Sequence, residues 1–435
     1  MVMAEIVQRG TDTFRRARIR CGETPLGDRG LSEVSVSVAD MRILHTSDWH
    51  IGRTFHGVDL LADQRSVLDA LAALVADHAV DVVVVPGDIY DRAIPSADAV
   101  RVCNRGFEKI RAAGAVIVAT SGNHDSPARL GAGSSFSAAG GLHLFTTVSD
   151  VAEPVIVEDA HGSVAFYGIP YLEPETTRAE LDVPNARSHA DVLRAAMSRI
   201  RGDVARRRSD GSSVRSVVLA HAFVVGGEST GSERSIAVGG VETVPASEFS
   251  GVDYVALGHL HSPQTIDDRI RYSGSPLPYS FGERSHRKAA WMIDLDATGN
   301  IDVTRMELPL VRGLSVLTGS LDELCTAAEF EEHVSNYVSA VLTDPVRPVD
   351  AMRRLQDRFP HAVHLEWQPP VRSGDAGYRE KVVGRSDLEV MTSFLSDVRS
   401  DPTASETTLL ERAARSAAAE PETVTTDEPR WERTA

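Results

Sequence analysis

The chain is poor in cysteine and in aromatic residues, and it has no long apolar run. Three of its 435 residues are cysteines, and aromatic residues make up 6% of it. Cys21, Cys103 and Cys325 are far apart and lack the spacing of metal ligands, which excludes a disulfide framework and predicts a reducing, cytoplasmic location. No apolar run approaches the roughly 20 residues of a membrane-spanning helix, and the N-terminus lacks the pattern of a signal peptide. We therefore expect no membrane partner.

The chain also has fewer basic than acidic residues. The chain has 62 acidic and 45 basic residues, and its formal net charge is −17. An acidic protein repels polyanions, so contact with nucleic acid would need a local basic groove together with the charge of bound metal ions. Apolar residues make up 42% and charged residues 25%, which is typical of a soluble globular protein with two or three domains.

Composition, periodicity and turn signals divide the chain into five segments. These are a disordered extension at 1–40, a large α/β domain at 41–308, a small α+β domain at 309–385, two amphipathic helices at 386–419 and a disordered acidic tail at 420–435. Two capping boxes, Ser386 with Glu389 and Thr403 with Glu406, mark the starts of the two helices. The expected fold class is therefore α/β with a small second domain.

The first part of the large domain has the pattern βαβαβ. Apolar runs predict strands from Met41, over 80–85 and over 115–119, and helical periodicity predicts helices over 62–78 and 96–113. After residue 150, alternating residues predict a second, more antiparallel layer. In the small domain we expect a helix near 322–341.

Polar residues follow five of the predicted strands. They are Asp48 with His50, Asp88, Asn123, His221, and His259 with His261. If the strands shared one sheet, their carboxyl ends would meet at one edge. The alternation of side chains along an extended segment would then place Asp48 and His50 on the same side, and likewise His259 and His261.

These seven side chains offer nitrogen and oxygen donors. Such a mixed set suits Mn²⁺, Fe or Zn²⁺ better than Ca²⁺ or a thiolate zinc site. Seven donors exceed one tetrahedral site and suit two ions about 4 Å apart with a bridging carboxylate, the arrangement used for phosphoester hydrolysis. His124 follows Asn123 directly, and its imidazole could face a substrate phosphate as acid or electrostatic partner. Each motif alone has an ordinary explanation as a turn or a surface histidine, so the prediction depends on all five occurring together.

The order Asp-x-His, Gly-Asp-x-x-Asp, Gly-Asn-His-Asp, His and Gly-His-x-His resembles the calcineurin-like metallophosphoesterase family over roughly residues 41–305. The resemblance implies a metallophosphoesterase β-sandwich flanked by helices, with a binuclear site. Carried over by motif, one ion would be held by Asp48, His50, Asp88 and His261. The other would be held by Asp88, Asn123, His221 and His259, with Asp88 bridging. His124 would be the catalytic histidine and not a ligand.

Finer features resemble the nuclease subunits of bacterial SbcCD-type complexes. They lie at residues 42–53, 87–92, 121–127, 272–281 and 308–319. This resemblance implies a Mn²⁺-dependent DNA nuclease for repair, recombination and replication, with 3′→5′ exonuclease activity on double-strand ends and endonuclease activity on single strands and hairpins. The small domain would be a capping domain. The segment 386–419 would dock on SbcC, a coiled-coil ATPase, and a homodimer within the complex is allowed.

Other interpretations remain open at this stage. A small-molecule phosphodiesterase or protein phosphatase of the same fold predicts a short chain without residues 310–415, and a non-catalytic adaptor predicts missing ligands. The helical stripe of Leu388, Met391, Leu395 and Val398 could pack on the chain's own cap instead of docking. Candidate DNA contacts are Arg53, His56, Arg65, Arg92 and Arg129, each of which could also be an ordinary solvated side chain. The basic run at 206–208 could likewise be a solvated helix end.

Overall fold

A computed structural model describes residues 40–209, 213–229, 233, 243–370 and 384–419. The predicted disordered extension before Asp40 and the predicted acidic tail at 420–435 lie outside the described residues. The chain divides into two compact units, Met1–Leu314 and Ser315–Ala435, and this boundary falls at the start of a strand. Among the described residues, no helix combines the length and the apolar character that crossing a membrane would require.

The first unit is built from strands and helices in alternation. Its strands are β1 Met41–His45, β2 Thr54–Phe55, β3 Val58–Asp59, β4 Val82–Pro86, β5 Val116–Thr120, β6 Leu142–Phe145, β7 Val155–Asp159, β8 Gly162–Ile169, β9 Arg215–His221, β10 Tyr254–Gly258, β11 Gln264–Thr265, β12 Ile270–Tyr272, β13 Ala289–Leu295 and β14 Ile301–Glu307. Its helices are α1 Leu61–His78, α2 Ala97–Ala112, α3 Pro127–Leu130, α4 Ser134–Ala139, α5 Pro174–Thr177 and α6 His189–Ser209. Short 3₁₀ turns lie at Val148–Ala152, Ala246–Phe249 and Phe281–Glu283.

Two six-stranded sheets form a sandwich. Their strand orders are β14-β13-β1-β4-β5-β6 and β11-β12-β10-β9-β8-β7. One buried apolar cluster combines Ile43 and Val84 of the first sheet with Val217 and Ala256 of the second, so the sheets pack face to face. The mixed α/β sandwich flanked by helices confirms the predicted fold class.

Helices cover the sandwich through apolar stripes. In α6, Val192, Ala196 and Ile200 recur at helical spacing, and they are buried in one cluster with Val218 and Leu257 of the second sheet. The expected helices over 62–78 and 96–113 correspond to α1 and α2, which contact each other.

The prediction that the second layer is more antiparallel was wrong. Strands β8, β9, β10 and β12 are parallel, and only β7 and β11 run antiparallel to their neighbours. The alternating pattern came from β7, a half-buried edge strand, whereas β9 and β10 are buried throughout. The last two strands, β13 and β14, return to the first sheet, where β13 pairs with β1.

The second unit is a small α+β domain followed by two helices. Its elements are β15 Leu314–Gly319, α7 Leu321–Thr326, a 3₁₀ turn at Ala328–His333, β16 Tyr337–Leu342, α8 Ala351–Arg358, β17 Ala362–Trp367, α9 Asp387–Val398 and α10 Ala404–Ala419. The expected helix near 322–341 was wrong, because α7 ends at Thr326 and β16 is the buried central strand of a three-stranded sheet. Both predicted capping boxes are confirmed at the starts of α9 and α10.

Candidate metal centre

The seven predicted donors lie at the carboxyl ends of strands from both sheets. Asp48, Asp88 and Asn123 follow β1, β4 and β5 of the first sheet. His221 ends β9 of the second sheet, and the pair at 259–261 follows β10. The prediction of one shared sheet edge was therefore wrong, since the donor loops meet where the two sheets come together.

Two glycines permit this close approach. A Cβ at Gly258 would lie 1.8 Å from the carbonyl oxygen of Pro86, so no side chain fits there. A Cβ at Gly87, whose φ is +86°, would lie 2.3 Å from Nδ1 of His221. The glycines of the Gly-Asp and Gly-His motifs thus allow the ends of β4, β9 and β10 to pack together.

The donor loops have an unusual backbone conformation. Asp48, His50, Asp88 and His259 have φ values of 53°, 45°, 49° and 106°. These positive values are uncommon for residues other than glycine and cluster at functional sites. The argument from alternation along an extended strand was therefore wrong for both pairs. Backbone hydrogen bonds hold two of the loops together instead, including the His50 amide to the Asp88 carbonyl at 2.9 Å.

One group of donor atoms comes from Asp48, His50 and His261, and these atoms lie within 4.8 Å of one another. Nε2 of His50 lies 3.0 Å from Nε2 of His261. Nδ1 of His50 has no hydrogen-bond partner among the described residues. Behind His261, the buried Lys288 ammonium donates to the His261 carbonyl at 2.7 Å and pairs with Glu283. Sequence reasoning missed this ion pair, although Glu283 and Lys288 stand next to the 272–281 segment.

A second group comes from Asp48, Asp88 and His221. Nε2 of His221 lies 2.9 Å from Oδ1 of Asn123 and 3.5 Å from Oδ2 of Asp88. The same Asp88 oxygen lies 3.5 Å from Nε2 of His50, so Asp88 stands between the two groups. His50, Asp91 and His124 form a third group of close donor atoms. The side chain of His259 is in none of the three, but its ring centroid lies 5.3 Å from that of His221.

The arrangement around His221 fits a cation. Its Nδ1 donates to the Pro86 carbonyl at 3.1 Å, and burial lowers the pKa of the imidazole, so the ring is neutral and Nε2 carries a lone pair. That lone pair faces the carboxylate oxygen of Asp88 and the amide oxygen of Asn123, which are also acceptors. Three acceptors at these distances repel one another unless a cation lies among them.

The ionisation states suit metal binding. Burial lowers the pKa of His259 to about 3 and that of His50 and His261 well below their ordinary value, so these rings are neutral, the form that binds metals. Burial, and then the neighbouring Asp88, raises the pKa of Asp48 well above its ordinary value. A pair of buried carboxylates needs compensating positive charge, which divalent ions would supply.

His124 lies beside the donor groups with a fixed orientation. Its backbone amide donates to Oδ1 of Asp88 at 2.9 Å, and its Nδ1 donates to the carbonyl of Asp91 at 2.8 Å. Nε2 is thereby directed toward Asp88, 4.0 Å from Oδ2, and 9% of the side chain is exposed. Asp91 also places its carboxylate 3.7 Å from Nδ1 of His50. Sequence reasoning treated Asp91 only as part of a turn, and the Gly-Asp-x-x-Asp spacing was the signal for it.

Asp125 joins two of the donor loops. Its carboxylate accepts from the amides of Gly122 at 2.9 Å, Ile89 at 3.1 Å and Tyr90 at 2.9 Å, which lie in the loops after β5 and β4. These loops carry Asn123 and Asp88, so Asp125 fixes the separation of two predicted metal donors.

Replacing Asp125 with alanine is expected to lower the free energy of unfolding by about 3 kcal/mol, because two buried amides and one partly buried amide lose their acceptor at roughly 1–3 kcal/mol each. Affinity for divalent metal ions should fall as well. Asp125→Asn keeps one acceptor oxygen and should lose less. Denaturant titration of both variants measures the effect, and an alanine variant as stable as the wild type would contradict it.

The candidate DNA contacts fall into different surroundings. Arg53 lies over the ring of Tyr279, near the donor groups, whereas the Arg92 side chain is 74% exposed. Arg65 is also exposed, Arg129 is exposed on α3, and His56 packs against Phe55 and Phe281. In the basic run of α6, two arginines pair with Asp203 and the third pairs with Asp253. That run is thus engaged in ion pairs within the chain.

Two family models match parts of the chain, and solved structures resemble it. Residues 41–263 match the calcineurin-like phosphoesterase family, and residues 311–399 match SbcD_C, described as a type 5 capsule protein repressor C-terminal domain. TT1561 of Thermus thermophilus is 12% identical, with a TM-score of 0.35, over 61% of this chain and 99% of that one. A dimetal phosphatase from Danio rerio is 13% identical, with a TM-score of 0.38, over 62% of this chain and 96% of that one.

Proposed function

Because the chain belongs to the calcineurin-like phosphoesterase family, we propose that it is the nuclease subunit of an SbcCD-type complex, hydrolysing DNA phosphodiesters with Mn²⁺. The observation that carries the proposal is the meeting of five donor loops beside His124, in a chain that also has an SbcD_C match over 311–399. The family supports a metal-dependent phosphoesterase. The additional C-terminal match favours DNA over a small ester or a phosphoprotein.

Two divalent ions would be shared among the donors as the motifs imply. Asp48, His50, Asp88 and His261 would hold one ion, and Asp88, Asn123, His221 and His259 would hold the other. The bridging role of Asp88 is supported by its Oδ2, which is 3.5 Å from Nε2 of both His50 and His221. When bound, such ions act as Lewis acids and lower the pKa of coordinated water. The nitrogen and oxygen donors are compatible with Mn²⁺ as the native metal.

His124 would act as the proton donor to the leaving group. Its Nδ1 proton is engaged by the Asp91 carbonyl, so a proton given to a departing oxygen would come from Nε2 of the doubly protonated ring, which then becomes neutral. The buried neighbours limit water around the site, which strengthens the interaction of a charged imidazole with phosphoryl oxygens. The His124 side chain is 9% exposed, so the ring is not fully enclosed.

The C-terminal helices would bind the coiled-coil ATPase partner. Phe394 and Val398 of α9 are 57% and 51% exposed, and Leu409 of α10 is 60% exposed. Within the described part of the chain, α9 has no buried residue. Apolar side chains that remain exposed on amphipathic helices favour docking to a partner over packing on the chain's own cap. A cytoplasmic location, as the cysteine usage predicts, would place the enzyme with such a partner.

Leu409→Asp combined with Val398→Asp is expected to weaken co-purification with the ATPase partner by at least about tenfold, since a charge would enter an apolar interface. Both residues are exposed, so folding should be unaffected. Arg412→Ala, at an exposed position of α10, is the matched control. If the double variant binds the partner as tightly as the control does, the helices have another role.

The experiment that tests the function is reconstitution with the ATPase partner. The complex is expected to open a hairpin and to degrade double-strand ends from the 3′ side, with Mn²⁺ and ATP, as followed on end-labelled DNA. The isolated subunit should hydrolyse bis-p-nitrophenyl phosphate with Mn²⁺. A complex that hydrolyses the ester but leaves hairpins and ends intact would exclude the nuclease and favour a small-molecule phosphodiesterase. Absence of both activities would favour a non-catalytic adaptor.

A further inference from the structure

Tyr279 forms one wall of the metal centre. Its ring centroid lies 5.5 Å from that of His50 and 5.8 Å from that of His261. The hydroxyl donates to the Trp49 carbonyl at 2.5 Å and accepts from Gln64 Nε2 at 3.4 Å. A buried ring held at both its face and its hydroxyl is a rigid surface beside the two histidines.

Arg53 also contacts the Tyr279 ring. Its guanidinium carbon lies 4.8 Å from the centroid of the Tyr279 ring, within the range of a cation–π contact. Its Nη1 lies 3.7 Å from Oδ1 of Asp91, the residue whose carbonyl accepts from His124. The Arg53 amide donates to the His50 carbonyl at 2.9 Å, which fixes the start of the side chain. Arg53 is therefore placed on the flank formed by His50 and His124.

Arg53 places a positive charge in a fixed orientation at the edge of the metal centre. The Arg53 side chain is 18% exposed, so it is held in place yet reachable from solvent. A guanidinium stacked on a ring donates within its own plane, in the fork geometry that matches phosphate. The overall charge of −17 repels a polyanion, so a polynucleotide needs local contacts of this kind.

We infer that Arg53 binds the phosphate next to the scissile one, and that this contact makes the site prefer a polynucleotide to an isolated phosphoester. The inference rests on the proposed function and specifies where the flanking strand runs. The metal centre would engage one phosphate, and the next phosphate along the strand carries its own charge that those ions do not neutralise. Arg53 supplies that second charge on the side where Tyr279 and Asp91 hold it.

The test uses two inhibitors of bis-p-nitrophenyl phosphate hydrolysis with Mn²⁺. Thymidylyl-thymidine has one phosphate, and oligothymidylate has several. Arg53→Met keeps the aliphatic packing on Tyr279 but removes the charge. We expect the inhibition constant of oligothymidylate to rise about 10- to 100-fold, the factor for a lost charge-assisted hydrogen bond, and that of thymidylyl-thymidine to stay within about twofold. The salt dependence of oligothymidylate binding should decrease by about 0.7 in its log–log slope.

Two further variants sharpen the result. Arg53→Lys keeps the charge but not the planar fork, so it should keep the salt slope and lose part of the affinity. Arg101→Ala, a 72% exposed arginine of α2, is the matched control and should leave both inhibition constants unchanged. Calorimetric titration with Mn²⁺ in the absence of substrate should give the same affinity for Arg53→Met and wild type.

Several outcomes would overturn the inference. Equal losses for both inhibitors would place Arg53 at the scissile phosphate, and weakened Mn²⁺ binding would make it a structural residue. If Arg53→Met retains the wild-type preference for oligothymidylate, only the role of Arg53 is refuted. A wild-type enzyme that hydrolyses the ester but shows no such preference refutes the DNA substrate as well.

Discussion

His124→Ala is expected to lower kcat by about 10²–10⁴-fold, the usual contribution of a positioned acid or base, while both metal ions remain bound. The reason is the geometry around the ring. Nδ1 is engaged by the Asp91 carbonyl, and Nε2 is 4.0 Å from the nearest Asp88 oxygen, so the imidazole lies beside the donor set. Removing it takes away a proton donor without removing a ligand.

The measurement combines manganese stoichiometry with kinetics on two esters. The loss should be smaller with p-nitrophenyl esters, whose leaving group needs little protonation, than with an ester of a more basic alcohol. His124→Asn fills more of the vacated space and should lose activity in the same pattern. If His124→Ala loses manganese, the histidine is a ligand and this division of roles is wrong.

Asp88→Asn is expected to lose both ions and to reduce turnover by about 10³-fold or more, because the metals contribute several kcal/mol of charge stabilisation in the transition state. Asp88 is the donor that lies near both groups, with Oδ2 at 3.5 Å from His50 and from His221. The amide preserves the shape of the side chain, so the change isolates its charge.

The comparison variant is Asn123→Ala, which should weaken only the ion next to His221. Manganese titration followed by equilibrium dialysis distinguishes two lost ions from one. If Asp88→Asn retains one tightly bound ion, the shared donor is instead Asp48, which belongs to the group with His261 and to the group with His221.

Local patterns predicted most elements of the first unit. The helix expected at 62–78 is observed at Leu61–His78, because a long apolar stripe with helical spacing has few alternatives. The expected helix near 322–341 failed for a different reason. The run from Tyr337 to Leu342 is buried between β15 and β17, and that burial depends on partners that a local pattern does not contain.

For the candidate site too, some features could be predicted from local sequence patterns and others depend on the fold. Residue types at strand ends led to the seven predicted donors and His124, and the structure places these residues in one region. Two features were out of reach. The Gly-Asp-x-x-Asp spacing could indicate Asp91 itself, but not the hydrogen bond from His124 to its backbone carbonyl. Lys288 contacts the His261 carbonyl only because of the fold. The positive φ values at Asp48 and Asp88 also require knowledge of the packed loops.

The contact of Gly258 with Pro86 marks the place where the two halves of the sandwich meet, and donors from each half lie beside it. An ion bound there would link the two sheets, so its binding would stabilise the fold against thermal unfolding. By mass action this amounts to about 2.7 kcal/mol at a hundred times the dissociation constant. A chelator would then lower the melting temperature and make the chain more susceptible to proteases. The supply of metal ions would in this way affect the lifetime of the protein.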